Sequence, residues 1–346
     1  MLLLIGANAF MSREGLFGFG LPYYYAEILM LTGISIILAV SLNLITGFTG
    51  QFSIGHAGFM AVGAYSSVYL SVYYTQDVEA WLTAIIGQTA AQSLVFVGVL
   101  AFGAMVAAVA GLIVGIPSLR LRGDYLAIVT LGFAEIIRII ILNIDRVGGA
   151  TGFRGAVPPW AGRPIIPPYA DFVWIGGFAI ITIVVVYNIV HSDIGRALVS
   201  IREDELAAEA MGIDTTRYKV IAFVISSAFA GIAGVLFGHF RQFLHTNDFQ
   251  FIRSIEIIIM IVLGGMGSIT GSVLGAIVIT VLPELLRLLP GDLYDYRLVI
   301  YSALLILIML TRPQGVMGEK ELGIQWLKRA PGRPVGDKPS GSRKPL

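Results

Sequence analysis

Apolar runs of about 20 residues recur along this chain, each long enough to cross the hydrocarbon of a bilayer as a single helix. They lie near 22–45, 52–73, 94–116, 124–145, 172–190, 219–238 and 297–311. The stretch from Ile255 to Leu286 is too long for one span and is interrupted by Gly264-Gly265-Met266-Gly267. It reads as two short spans meeting at that break, which brings the count to about nine crossings. Water cannot be the solvent of such a chain. Only 13% of its residues are charged, 56% are hydrophobic and the mean hydropathy is +0.83, whereas a soluble domain carries about 25% charged residues. Because lipid offers backbone groups no hydrogen bonds, apolar spans must be helical. The expected fold is an all-α polytopic transmembrane bundle of about 8–10 membrane segments, some of them broken or short.

The 41 glycines suit close approach between such helices. Stripes of small residues are spaced three and four apart at Ser53, Ala57, Ala61 and Ala64, and at Ala104, Ala108, Gly111 and Gly115. Further stripes run through Ala222, Ser226, Ala230 and Gly234, and through Gly267, Gly271 and Gly275; each set falls on one helix face. Cysteine is absent, which excludes disulfides and thiolate chemistry, and no metal site is expected of the histidines. His239 and His245 read as loop residues. A net charge of +1 gives no reason to expect nucleic acid. The apolar start, Met1–Met11, is too short to span and lacks the basic flank of a signal peptide.

Basic residues orient the bundle. Arg120 and Arg122, then Arg196, Arg202, Arg217 and Lys219, then the tail from Arg312 onward fall on one side and hold most of the lysines and arginines. Positive charge favours the cytoplasm, so the loop at 191–218 and the C-terminus are expected there. The division expected is a transmembrane domain over 1–318 and a mobile basic tail over 319–346, attracted to anionic membrane lipid.

The segment His191–Lys219 is polar, yet patterned as a helix between two spans. Ser200 and Glu203 have capping-box spacing, Glu203, Asp204 and Glu205 fall in the first turn, and Gly212 is placed to stop the helix. Leu206, Ala207, Ala210 and Met211 make a small apolar face. A helix lying on lipid headgroups would want larger apolar side chains and a basic polar face, so a protein docking site is the better reading.

Several runs together resemble one family. Within the loop they are Arg196-Ala197, Ile201 through Glu205, and Ala207 through Ile213. Elsewhere they are Leu42-Asn43-Leu44, Gly50-Gln51-Phe52-Ser53-Ile54-Gly55-His56-Ala57-Gly58-Phe59, Gly123 through Phe133, Thr151-Gly152, Gly264 through Ser268 and Thr311 through Gly315. The set is similar to the M-type permeases of high-affinity branched-chain amino-acid importers driven by ATP-binding-cassette ATPases, over about residues 25–318. Members often begin with a further hydrophobic helix, of which Met1–Met11 would be the only trace.

The resemblance implies a transport subunit of a bacterial inner membrane. It would be assembled with a second homologous permease, two cytoplasmic ATPases and a periplasmic or lipid-anchored binding protein. ATP and magnesium would belong to the partners, in keeping with the absence of a G-x-x-x-x-G-K-[ST] phosphate loop, so no cofactor and no enzymatic activity are expected of this chain. Coupling to the ATPase would fall to Arg196, Ile201, Arg202, Glu203, Asp204, Glu205, Ala207, Ala208, Met211 and Gly212. The candidate translocation path comprises Asn43, Gly47, Gly50, Gln51, Ser53, His56 and Gly58, where glycines weaken the helix and expose backbone dipoles. Glu135 and Arg138 join it as ionisable groups at membrane depth, three apart on one helix face. Plain packing and internal pairing account for the same residues equally simply. A urea or short-chain amide permease of the same architecture is the nearest alternative, and an ion-coupled secondary transporter is one of a different class. An intramembrane enzyme would want a nucleophile and base inside spans, and none is present in the pattern.

Overall fold

The computed structural model describes residues 23–119, 124–153, 166–287, 297–312, 315–318 and 321. Met1–Met11, Arg120, Arg122, residues 154–165 and nearly all of 319–346 lie outside them.

Twelve described α-helices follow one another: α1 Tyr23–Thr46, α2 His56–Tyr73, α3 Gln76–Ile86, α4 Gln88–Ser118, α5 Asp124–Leu142, α6 Phe172–Val190, α7 Asp193–Glu203, α8 Glu205–Ala210, α9 Thr215–Arg241, α10 Phe251–Gly264, α11 Ile269–Leu286 and α12 Arg297–Thr311. Short 3₁₀ turns at Asp145–Val147, Gly149–Thr151 and Thr246–Phe249 fill connections. The chain is an all-α polytopic helical bundle. Among the described residues six helices, α1, α4, α5, α6, α9 and α11, are long and apolar enough to cross a membrane. α10, at 14 residues, is about 21 Å long, well short of a full hydrocarbon crossing.

α9 is the hub, packed on α4, α2 and α1, with α11 against α10 and α1, and α6 against α1. Its stripe Ala222, Ser226, Ala230 and Gly234 is buried. On α4 the buried small face is Gly103, Ala107 and Gly111; Ala104 and Ala108 stand to its side. A glycine- and alanine-rich helix supports several registers, and the partner decides: Gly103 abuts Val235 and Gly111 abuts Ser227. Ser53 precedes α2 and Gly267 precedes α11, so neither belongs to the helix of its stripe. Outward residues such as Leu94, Met105, Ile113, Ile128 and Ile180 are apolar and exposed, as a lipid-facing belt requires.

The two ends of the bundle are distinct. At one lie α7–α8, the end of α1 and the break between α10 and α11. At the other, the Tyr73 hydroxyl donates to the Arg146 carbonyl (3.2 Å), Phe153 pairs with Leu244 through two backbone bonds (2.7 and 3.1 Å), and Glu284 accepts from Tyr24 and pairs with Arg287. The aromatic-bearing helix α3 also sits there, with Trp81 and Ile85 exposed.

His239 is a correction. It is buried within α9, Nδ1 against the Val235 carbonyl (2.9 Å) and Nε2 against Ser71 Oγ (3.1 Å), because α9 runs on to Arg241. His245 does lie in a connection, where its ring accepts from Asn247 N–H at the start of the 3₁₀ turn Thr246–Phe249.

α10 and α11 cross in close contact where Gly264 faces Gly271. A Cβ on Gly264 would lie 2.0 Å from the Gly271 carbonyl oxygen. Gly264→Val is therefore expected to force the two half-helices apart, an overpacking cost of about 1–3 kcal/mol. A lowered melting temperature of the purified chain in detergent checks this; an unchanged one would mean the crossing is looser than drawn.

Candidate functional site

The loop between α6 and α9 holds two helices, not a single one running from a Ser200 cap to the Gly212 stop. α7 begins at Asp193 and runs through Ser200, whose hydroxyl donates back to the Ala197 carbonyl (2.7 Å). The chain then turns extended at Asp204 (φ −157°, ψ 108°), and the Asp204 carboxylate accepts from Leu206 N–H (2.9 Å) and Ala207 N–H (3.0 Å). Asp204, rather than Ser200, is thus the cap. A side chain can satisfy the orphan N–H groups of a helix start only where the backbone has left the helix, and at Ser200 it has not. Glu203, expected to complete the capping box, instead pairs with Arg202 (2.8 Å).

Gly212 ends α8 as expected. At φ +87° its N–H meets the Glu209 carbonyl (2.9 Å), and Ile213 N–H returns to the Ala208 carbonyl (3.1 Å). That is the Schellman closure, which needs a left-handed residue. Gly212→Val is expected to open this turn and weaken α8 by about 1–2 kcal/mol. Faster amide exchange over 205–213 measures it.

α8 turns Ala208 inward, buried, and presents Leu206 (61% exposed), Ala207, Ala210 and Met211 (83% exposed) outward. Two polar contacts hold it on the bundle. Lys219 Nζ, on a residue only 2% exposed, meets Glu205 (2.7 Å), and Thr215 Oγ1 donates to Glu209 (2.9 Å). Lys219 carries no role in the sequence reading beyond its loop charge. The one local signal was its place a turn inside α9, after the Asp214 cap that accepts from Arg217 N–H (3.1 Å). On α7, Gly195, Ala197, Leu198 and Ile201 are buried. Arg196 points out and pairs with Asp193.

The path candidates divide into groups. Residues 47–55 are non-helical, so the glycine-rich stretch is indeed a break between α1 and α2. Asn43, fully buried, donates from Nδ2 to the Ser268 carbonyl (3.0 Å) and accepts at Oδ1 from Gly267 N–H (3.0 Å). It joins the end of α1 to the second break, between α10 and α11. Gly47 packs on Asn43 and Gly267, and Gly50 on Arg202. Two side-chain oxygens beside this junction, Thr46 Oγ1 and Gln51 Oε1, are buried without a protein partner. Ser53 is buried. Gly58 packs on Ala134 of α5. Ile54 N–H donates to Thr130 Oγ1 (3.1 Å); Thr130→Val would orphan that N–H at about 1–3 kcal/mol, read as a lower melting temperature.

His56 is buried and meets Ser41 Oγ (3.0 Å), while the Ser41 carbonyl accepts from Ser226 (2.6 Å). Glu135 and Arg138 pair with each other at 2.7 Å on α5. The two sets of path candidates are therefore separate: one lies at the breaks, the other is an internally neutralised pair.

The second break is closed from the far end of the chain. Val316 N–H and Met317 N–H meet the Leu263 (2.8 Å) and Gly264 (3.0 Å) carbonyls, satisfying the end of α10. The Glu321 carboxylate accepts from Ile269 N–H and Thr270 N–H (3.2 Å) at the start of α11, joining Ser268 Oγ, which caps Gly271 N–H (3.0 Å). Among the described residues no cluster of histidine and carboxylate groups is arranged to hold a metal ion.

Residues 24–309 match the family model described as branched-chain amino acid transport system / permease component. The LivM permease proteins of the high-affinity branched-chain amino acid transport systems of Salmonella typhimurium and Escherichia coli are 33% and 34% identical over 320 residues, covering 84% of this chain and 69% of theirs. The LivH permease protein of Escherichia coli is 33% identical over 150 residues, 43% of this chain and 47% of its own. No solved structure matches the chain. With 286 consecutive positions spanned by that family model, the chain belongs to the family of branched-chain amino acid transport system permease components.

Proposed function

We propose that this chain is a membrane-spanning permease subunit of an ATP-binding-cassette importer of the bacterial inner membrane, moving branched-chain amino acids by alternating access. The observation that carries the reading is the construction of α8. It is capped at Asp204, stopped at Gly212 and tied to α9 by Lys219 and Thr215, yet its Leu206, Ala207, Ala210 and Met211 face is left outward. A helix so firmly attached and so bare on its outer side transmits force to or from a docked protein. In this reading the docked protein is a cytoplasmic ATPase, the α7–α8 end of the bundle is cytoplasmic, and so is the C-terminus. Two ATPases supply ATP and magnesium, a second permease of the LivH kind completes the pore, and a periplasmic or lipid-anchored binding protein delivers cargo at the opposite end. The junction of the two breaks lies on the path, where the buried oxygens of Thr46 and Gln51 offer hydrogen bonds to something passing.

The test is uptake into vesicles carrying the chain with its co-expressed partners. Labelled leucine should accumulate with ATP and persist when ion gradients are collapsed. Leu206→Asp with Met211→Asp should depress both uptake and hydrolysis by more than tenfold, because a charge buried in an apolar contact costs well over about 1.4 kcal/mol. Accumulation of urea in place of leucine would favour an amide permease; abolition by ionophores would favour an ion-coupled transporter.

A further inference from the structure

Arg202, one of the residues expected to couple the chain to its ATPase, turns its side chain toward the membrane bundle. It leaves the last turn of α7 and crosses to the end of α1, where Nη1 donates to the Gly47 carbonyl (3.2 Å). That carbonyl lies just past the helix end, where orphan acceptors and the dipole favour a cation. The same guanidinium lies against the other break. A Cβ on Gly267 (φ +82°) would come within 3.0 Å of Nη1, and one on Gly50 within 3.0 Å of Arg202 Cγ. Both breaks thus leave room for this side chain where most residues would fill it. Glu203 aligns the fork from the solvent side, accepting from Nε (3.2 Å) and Nη2 (2.8 Å).

Asn43 ties Gly267 and Ser268 to α1, so the two breaks form one unit, and Arg202 is a side chain of the α7–α8 loop in contact with both. Building on the permease reading, we propose that Arg202 is the positioning residue that carries a displacement of α7–α8 into the two chain breaks together. The backbone offers a poorer route. α7 and α8 are joined through the extended residue Asp204, and α8 reaches the bundle through α9. Leu198 of α7 does pack in one apolar cluster with Leu44, Phe48 and Ile269, but such a contact is non-directional and can slide, whereas the Arg202 fork fixes a register. Lysine would not replace the arginine fully, since a single ammonium cannot meet Glu203 and Gly47 in the same fork.

The chain has no cysteine, so spin labels placed at Asp193→Cys on α7 and Met266→Cys in the second break report their separation directly. Both sites are exposed. In the full chain, co-purified with its partners in lipid nanodiscs, the label distance should form one narrow distribution with Arg202 present. It should broaden in Arg202→Ala and be intermediate in Arg202→Lys. In proteoliposomes the leucine moved per ATP hydrolysed should fall about tenfold in Arg202→Ala, the size of an ordinary coupling free energy, and recover in part with lysine. An unchanged distance distribution in Arg202→Ala, or uptake and hydrolysis falling in proportion, would overturn the proposal. The label widths need neither nucleotide nor cargo, so they decide Arg202 even if the wild-type complex hydrolyses no ATP, a result that would refute the permease reading instead.

Discussion

Glu205→Ala will detach α8 from the bundle while the membrane helices stay folded. Lys219, 2% exposed, would be left as a buried charge without its carboxylate. Removing one partner of a buried pair costs about 3–5 kcal/mol. Glu205 itself is one-quarter exposed, so water relieves part of this, and the lower end of the range is expected. Amide exchange over 205–213 should accelerate by about two orders of magnitude, with the middle of α9 still protected. The reciprocal change is milder. Lys219→Met fills the site with an apolar side chain of similar length and leaves Glu205 at the solvent edge. The double variant should exchange more slowly than Glu205→Ala alone, because a buried pair replaced by apolar groups is often neutral. If Glu205→Ala leaves the exchange of α8 unchanged, the ion pair does not hold the helix and its attachment must lie in Ala208 and the Thr215–Glu209 bond.

Asn43→Leu should destabilise the membrane bundle at the junction of its two breaks. The Asn43 amide occupies the gap between α1 and the second break as a surrogate peptide group, donating to the Ser268 carbonyl and accepting from the N–H of the preceding residue, Gly267. Leucine has a similar size and offers neither. The Gly267 N–H loses its partner at about 1–3 kcal/mol, while the Ser268 carbonyl keeps the Ser272 N–H and hydroxyl (3.0 Å each). The result should be a lower melting temperature and proteolytic cleavage near 265–268. Asn43→Asp separates the two bonds: it keeps an acceptor for Gly267 N–H but has no N–H for the Ser268 carbonyl. It should be destabilised at neutral pH, and an aspartate variant as stable as wild type would show that the Ser268 bond contributes little.

The two predictions concern contacts of different legibility. The α1–α2 and α10–α11 breaks could be read in the sequence, since glycine density and an overlong apolar run both signal a helix that cannot continue. The stop at Gly212 was equally plain, as were the Glu135–Arg138 pair and the outward apolar face of α8, because all are set by spacing along one helix. The cap at Asp204 is not legible locally, because Ser-x-x-Glu at Ser200 looks the same whether it opens a helix or falls inside one that began at Asp193. The helical place of His239 is equally hidden, because α9 extends past the apolar run, its last turn fixed by burial against Ser71 and not by local preference.

What the sequence determined by itself, then, is everything that bilayer solvation and near-neighbour spacing dictate: a helical polytopic chain, its interruptions, a capped loop helix and its family. What only the tertiary structure decided is which distant atoms meet at those interruptions. Asn43 and Gly267 are 224 residues apart, Arg202 and Gly47 are 155 apart, and Glu321 reaches back 52 residues to Ile269. No periodicity encodes such pairs. They arise because a broken helix in a low-dielectric bundle leaves backbone groups unsatisfied, and the side chain that satisfies them is whichever one packing has carried within reach.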